Sequence, residues 1–287
     1  MIRIFIGQRW SKVRISNKAL WVLAVTVVTV ALLTSCTVEG NESIEGITGE
    51  EIPIKTAGIE VILKENEGKL VTNYKGYNGT YAIILQKDGE ENYNTYLISE
   101  NSSEIVNITY GSGEYELKVC KLTEDSKLRV LENHGIQIEL VDEYAPFKGI
   151  SYYTNYGTGI EDLIKLIGYE NTNEFTEKTY RYIVENIEYD HDLAWMVTSG
   201  HLLIYRPSID NIIERGKGIC IDQASLMASI LRYKDIPTKI AIGYNDIHEY
   251  HAWVEVLVDG EWLMYDPTNN YKHGDIVVEN YRVLRYY

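Results

Sequence analysis

The chain is short of positive charge, of cysteine, and of any apolar run long enough to span a membrane comfortably. Its 287 residues hold 27 Lys and Arg against 42 Asp and Glu, for a formal net charge of −15. Such a balance repels phosphate backbones and leaves no basic stripe for nucleic-acid binding. Cysteine occurs three times, at positions 36, 120 and 220. Cys120 and Cys220 fall in different halves, and nothing in their context suggests that they pair. Aromatic content rests on 24 Tyr, with only 3 Phe. Apolar residues still make up 45 % of the chain, enough for a substantial core.

The shortage of basic residues is uneven. Arg3, Arg9, Lys12, Arg14 and Lys18 precede the uncharged run Ala19 to Leu33, and the first 36 residues carry no Asp or Glu. The remainder has 22 basic and 42 acidic residues, a net charge of −20. The apolar run has 15 residues, fewer than the ~20 a membrane helix needs. A basic segment, a short apolar segment and the ending Leu33-Thr34-Ser35-Cys36 describe an export signal. That ending resembles the bacterial lipoprotein signal. The resemblance implies removal of the segment before Cys36, diacylglyceryl modification of Cys36, and an extracytoplasmic protein held to the membrane by its lipid.

After residue 36 an acidic, aperiodic stretch to residue 58 reads as a tether. Residues 59–145 alternate with period two in short β-branched and aromatic runs, with turn clusters between them. Tyr115, Leu117 and Val119 share one face of the run 114–120, and Cys120 lies on the other as a partly exposed, inert thiol. This pattern predicts an immunoglobulin-like β-sandwich of about seven strands. Pro146 and three glycines mark a domain boundary, and residues 150–287 form a second domain that opens with helices. Ile160–Ile167 ends at Gly168, Asn173 is placed to cap a helix through about Asn186, and Ser208 is placed to cap another reaching Glu214.

Two features of the second domain carry chemistry. Ala224, Met227, Ile230 and Leu231 recur at helical spacing, so a buried helix begins near Cys220, behind the flexible loop of Gly216 and Gly218. A helix N-terminus favours a thiolate. Further on, Asp259-Gly260 between apolar runs predicts a two-residue hairpin. Pairing Val258 with Glu261 and counting outward sets Trp253 opposite Asp266 and His251 opposite Thr268. His251 and Asp266 become diagonal neighbours on one face, where the carboxylate can orient the imidazole. Cys220 is the one thiol in this half to complete the set.

From about Tyr180 to Thr268 the chain resembles the transglutaminase-like superfamily, whose fold is papain-like. The resemblance rests on Tyr182–Asp190, on Gly218-Ile-Cys-Ile-Asp222, on Gly243 after the strand that follows Pro237, on His251-Ala-Trp253, and on Asp266-Pro-Thr268. It implies an α+β architecture, an N-terminal β-sandwich followed by a helical lobe with an antiparallel sheet. It also implies Cys220 as nucleophile, His251 as general base and acid, and Asp266 as the orienting group. Trp253 and Tyr189 are candidates for the substrate cleft, with core packing an equal reading for Trp253.

The expected chemistry is acyl transfer from an amide through a thioester, ending on water (peptidase or amidase) or on a second amine (transglutaminase). The substrate would be a protein or peptide, with cell-wall peptide suggested by location. No cofactor is implied. His191, His201, His248 and His251 lack zinc-site spacing, so no metal is expected. The alternative is a non-enzymatic surface protein that binds through the sandwich and keeps the second domain as a scaffold.

Overall fold

The computed structural model describes residues 3–6, 9–12, 53–56, 58–75, 79–202 and 204–287. The apolar run Ala19–Leu33, Cys36 and most of the expected tether lie outside them. The fold is mixed α and β, with several antiparallel sheets and five α-helices among the described residues. A short antiparallel ribbon joins β1 (Arg3–Ile6) to β2 (Arg9–Lys12).

Two four-stranded antiparallel sheets follow. The first has the order β3-β4-β5-β8, built from Pro53–Thr56, Ile59–Lys64, Lys69–Tyr74 and Ser103–Asn107. The second has the order β10-β9-β6-β7, built from Leu128–Ile138, Gly113–Leu122, Tyr81–Lys87 and Asn94–Ile98. β3 falls within the stretch expected as tether, so the ordered sheet begins earlier than residue 59. The alternation predicted from sequence is realised in β4 and β7, whereas Tyr81–Leu85 of β6 are buried on both faces. Ile59, Val61 and Leu63 from one sheet share a core with Ile83, Leu85, Tyr115, Leu117 and Val119 from the other. Cys120 departs from expectation. It has no exposed surface, because its face of the second sheet carries its own apolar cluster of Ala82, Ile84, Leu128 and Val130.

The C-terminal half opens with α1 (Ile160–Ile167) and α2 (Thr172–Asn186). Asn171, rather than Asn173, caps α2 by accepting the Glu174 N–H at 3.0 Å. Next come β11 (Glu188–Tyr189), α3 (His191–Thr198), α4 (Ile209–Arg215), β12 (Lys217–Gly218) and α5 (Cys220–Tyr233). Sequence reasoning missed α3, which buries none of its residues and so carries no core-facing stripe. A five-stranded antiparallel sheet completes the fold in the order β16-β15-β14-β13-β17. Its strands are Tyr271–Lys272, Glu261–Asp266, Tyr250–Val258, Thr238–Tyr244 and Arg282–Tyr286. Helix α5 is the hub of this half. Ala224, Leu226, Met227, Ala228, Ile230 and Leu231 are all sealed from solvent, in one cluster with Ala252, Val254 and Val256 of β14.

Around Pro146 antiparallel sheets give way to helices, and the core continues without a break. Buried residues of the N-terminal sheets and of the C-terminal half belong to one cluster. Tyrosines weld the seam. The Tyr96 ring packs edge-on to Tyr152 at 5.3 Å and to Tyr287 at 5.4 Å, and Tyr153 meets Tyr287 at 4.8 Å. Each such pair adds about 0.5–1.5 kcal/mol beyond its buried area. Tyrosine suits the place because a buried hydroxyl can also find an acceptor. Tyr96 donates to the Asn107 carbonyl at 3.0 Å, and Tyr152 to the Leu97 carbonyl at 3.2 Å.

Candidate active site

Cys220 is the first residue of α5, and it is half-buried. The loop before it is held by parallel pairing of Lys217–Gly218 with Glu188–Tyr189. Ile219 is extended, and its N–H donates to Asp222 Oδ2 at 2.9 Å. The Asp222 carboxylate is thus folded back over the helix start. This explains Gly218, since a Cβ there would lie 2.5 Å from the Asp222 Cβ. The spacing Gly-x-Cys-x-Asp is therefore a packing unit that sets the thiol where helix N–H groups lack intrahelical acceptors.

His251 lies on β14 opposite Gly243 of β13. Gly243 sits inside the strand, at a register shift between β13 and β17, where a Cβ would collide with the Arg282 carbonyl. The hairpin has the predicted register, with Val258 opposite Glu261 and the ladder continuing to Val254 opposite Tyr265. There it stops. On its other edge β15 pairs with β16, Asp266 opposite Tyr271, while the expected pairings of Trp253 with Asp266 and of His251 with Thr268 are absent from the ladder to β14. The chain turns away because Asp266 Oδ1 accepts the N–H groups of Thr268 at 3.0 Å and Asn269 at 3.2 Å, an Asx turn. The diagonal contact survives that departure. His251 Nε2 lies 2.8 Å from Asp266 Oδ2, with both side chains buried.

The same Oδ2 accepts the Tyr281 hydroxyl at 2.6 Å and Asn269 Nδ2 at 2.9 Å. With the carboxylate on Nε2, Cys220 is the other group near enough to act on the imidazole. Burial works against charge on His251. The Asp266 carboxylate and the Cys220 sulfur override it and push the imidazolium up to about 10. Burial likewise opposes the charge on Asp266, yet the donors from His251, Tyr281 and Asn269 hold it below its ordinary value. Gln223, one turn along α5, accepts from Thr268 Oγ1 at 2.6 Å and donates to the Ile187 carbonyl at 2.8 Å. It ties the thiol-bearing helix to the Asp266 turn.

The two cleft candidates separate. Tyr189 is 37 % exposed, and burial first, then the neighbouring Cys220, push its hydroxyl well above its ordinary value. Trp253 is 1 % exposed, so core packing is its role. It packs with Ala241 and Met264 behind the His251 ring, 6.4 Å away and near-parallel, while Tyr281 stands edge-on to it at 5.0 Å. Gln223, Asn269 and Tyr281 were not anticipated. The first followed the recognised cysteine closely enough to be noticed, whereas Tyr281 lies beyond every motif. Among the described residues no group of three or more His, Cys, Asp or Glu side chains is arranged to hold a metal ion.

Residues 163–267 match the family model of the transglutaminase-like superfamily. The matched segment contains the loop, helix and hairpin that bring Cys220, His251 and Asp266 together. Among solved structures, a candidate cysteine protease from Cytophaga hutchinsonii aligns over 76 % of this chain and 75 % of its own, at 15 % identity and a TM-score of 0.42. Red sea bream transglutaminase aligns over 70 % of this chain at 10 % identity and a TM-score of 0.31. A further structure, described as a TGase, aligns over 38 % of the chain at 19 % identity and a TM-score of 0.30. The chain spans 48 % and 29 % of the length of those two. No match to a curated protein emerges.

Proposed function

We propose that the chain is a cysteine acyl-transfer enzyme acting on amide bonds, with Cys220 as nucleophile, His251 as general acid and base, and Asp266 as the group that orients the imidazole. One observation carries the reading. A buried His251–Asp266 pair at 2.8 Å stands beside a half-buried cysteine at a helix start, close enough for the sulfur to act on the imidazole. The thiolate of Cys220 attacks the amide carbonyl carbon. As the tetrahedral species collapses, the C–N bond breaks and the imidazolium gives its proton to the departing amine, leaving a thioester and neutral His251. Water or a second amine then gives its proton to His251 and attacks the thioester carbonyl. The C–S bond breaks, and the thiolate–imidazolium pair returns. The backbone N–H of Cys220 is the oxyanion donor nearest to hand.

The signal before Cys36 supports placement outside the cytoplasm on a lipid anchor, with protein or cell-wall peptide as substrate. The N-terminal sheets, in this reading, form an immunoglobulin-like sandwich. The test is the rate of Cys220 alkylation by iodoacetamide against pH, with and without His251→Ala. A rate already high at pH 6 that falls about 10²-fold in the variant is expected, since an ordinary thiol with a pKa of ~8.5 is scarcely ionised there. A wild-type rate that tracks an ordinary thiol sinks the reading and favours a non-enzymatic scaffold.

A further inference from the structure

Two consecutive residues between α3 and α4 connect the N-terminal sheets to the loop that carries Cys220. Arg206 reaches back to β8, where Glu104 is buried at 4 % exposure. Its guanidinium meets Glu104 Oε2 at 2.5 Å, donates to the Tyr152 carbonyl at 3.1 Å, and lies over the Tyr152 ring at 4.4 Å. Tyr205 points toward the helix start, where its hydroxyl donates to Asp222 Oδ1 at 2.7 Å. Asp222 has no exposed surface, and its second oxygen holds the Ile219 N–H. From Glu104 to the residue before Cys220, each link is a hydrogen bond, an ion pair or a covalent neighbour.

We infer that Tyr205 and Arg206 form a positioning strap through which Glu104 of the N-terminal sheets fixes the nucleophile loop by way of Asp222. The inference rests on the reading of Cys220 as nucleophile. Its physical basis is the cost of each link. Glu104 is too buried to face no cation, and Arg206 is the cation bonded to it. Asp222 is a buried carboxylate that needs donors on both oxygens, and Ile219 and Tyr205 supply them. Holding the Ile219 N–H sets the direction of the next peptide group, which carries the Cys220 N–H. The strap gives the N-terminal sheets a part in the chemistry that contact with substrate would not require.

The strap also predicts a pH signature. Burial raises the Asp222 carboxyl, while the Ile219 N–H and Tyr205 hydroxyl lower it. Asp190 and Arg215 are the other charges felt there, acting in opposite directions. Removing the Tyr205 hydroxyl lets Asp222 take up its proton at higher pH and release the Ile219 N–H. The loss of thiol reactivity is then larger at pH 5.5 than at pH 8. General loosening of the fold would slow the reaction similarly at every pH.

The experiment is iodoacetamide alkylation of Cys220, followed by peptide mass spectrometry in the full chain, for wild type, Tyr205→Phe, Glu104→Gln and the double variant. Tyr205→Phe is expected to slow alkylation about tenfold at pH 6, the size of a lost hydrogen bond to a charged group. Glu104→Gln should slow it less, and the double variant should be no worse than Tyr205→Phe alone, because both act on one strap. If Glu104→Gln fails to fold, Tyr205→Phe and its pH profile decide alone. A fast wild-type rate left unchanged by Tyr205→Phe overturns the strap while the proposed nucleophile stands. A wild-type rate like that of an ordinary thiol overturns both.

Discussion

Cys120 and Cys220 are the same side chain placed in opposite surroundings. Cys120 sits mid-sheet on β9, opposite Ala82 of β6 and Val130 of β10, in a cluster of aliphatic side chains. Cys220 begins a helix and faces an imidazole that a buried carboxylate holds in place. The first thiol is a small apolar residue that fills space. The second starts a helix beside the buried His251–Asp266 pair. What distinguishes them is the backbone each occupies. A strand interior offers a side chain only its neighbours, whereas a helix start offers unpaired N–H groups as well.

The sharpest way to break this comparison is to let one reagent choose between the two thiols. In the folded chain at pH 7, iodoacetamide is expected to modify Cys220 at least about 10³-fold faster than Cys120, which needs local opening before it can react. In denaturant the ratio should collapse toward one. Comparable native rates, read by peptide mass spectrometry, would show that the sheet around Cys120 opens freely or that the site around Cys220 gives no activation.

The pair behind Cys220 yields the next prediction. Folded His251 keeps its proton up to about 10, against ~6.5 for an unperturbed imidazole. Its folded value is the raised one, so the stability from this charge is fully present below ~6.5 and is lost as pH rises through about 10. Turnover that needs imidazolium to protonate the departing amine should fall over that alkaline limb. Asp266→Asn removes the first of the groups that raise His251. The imidazole titration, followed by NMR of its ring protons, should move down toward the ordinary value, and thermal stability between pH 7 and 9 should fall with it. A titration that stays where it was would assign the shift to Cys220 alone.

The parts of this site that could be read from sequence were those fixed by local chemistry. Asp259 and Gly260 both have positive φ, so the two-residue turn and the register of the hairpin followed from two residues. The start of α5 at Cys220 followed from apolar spacing behind a glycine loop. What was hidden depends on residues distant in sequence. Cys120 was expected to be partly exposed because its strand neighbours on that face are Glu116 and Lys118; the cluster that covers it comes from β6 and β10. Trp253 could be read as cleft or core because its burial is supplied by Val278, Tyr281, Val283 and Tyr286, a segment with no pattern of its own. The tyrosine excess had no reading until Tyr96, Tyr152, Tyr153 and Tyr287 met at the seam.

Tyr281 offers the smallest and most discriminating test of how the two thiols differ. Near Cys220 it donates to Asp266 Oδ2, the oxygen that also accepts from His251. Three donors, from His251, Asn269 and Tyr281, share the charge of that oxygen, so Tyr281 steadies the carboxylate and weakens its hold on the imidazole. Tyr281→Phe keeps the edge-on contact with Trp253 and removes only the hydroxyl. Asp266 should then be protonated at higher pH, since one of the groups that lower it is gone. By the same change, His251 should hold its proton slightly more tightly, because Oδ2 has one donor fewer. Cys220 alkylation at pH 7 is expected to change no more than about threefold, within the range of a single neutral hydrogen bond. The titration of His251 should rise, opposite to its movement in Asp266→Asn. A fall in both variants would mean that Tyr281 supports the geometry of the pair instead of tuning its charge.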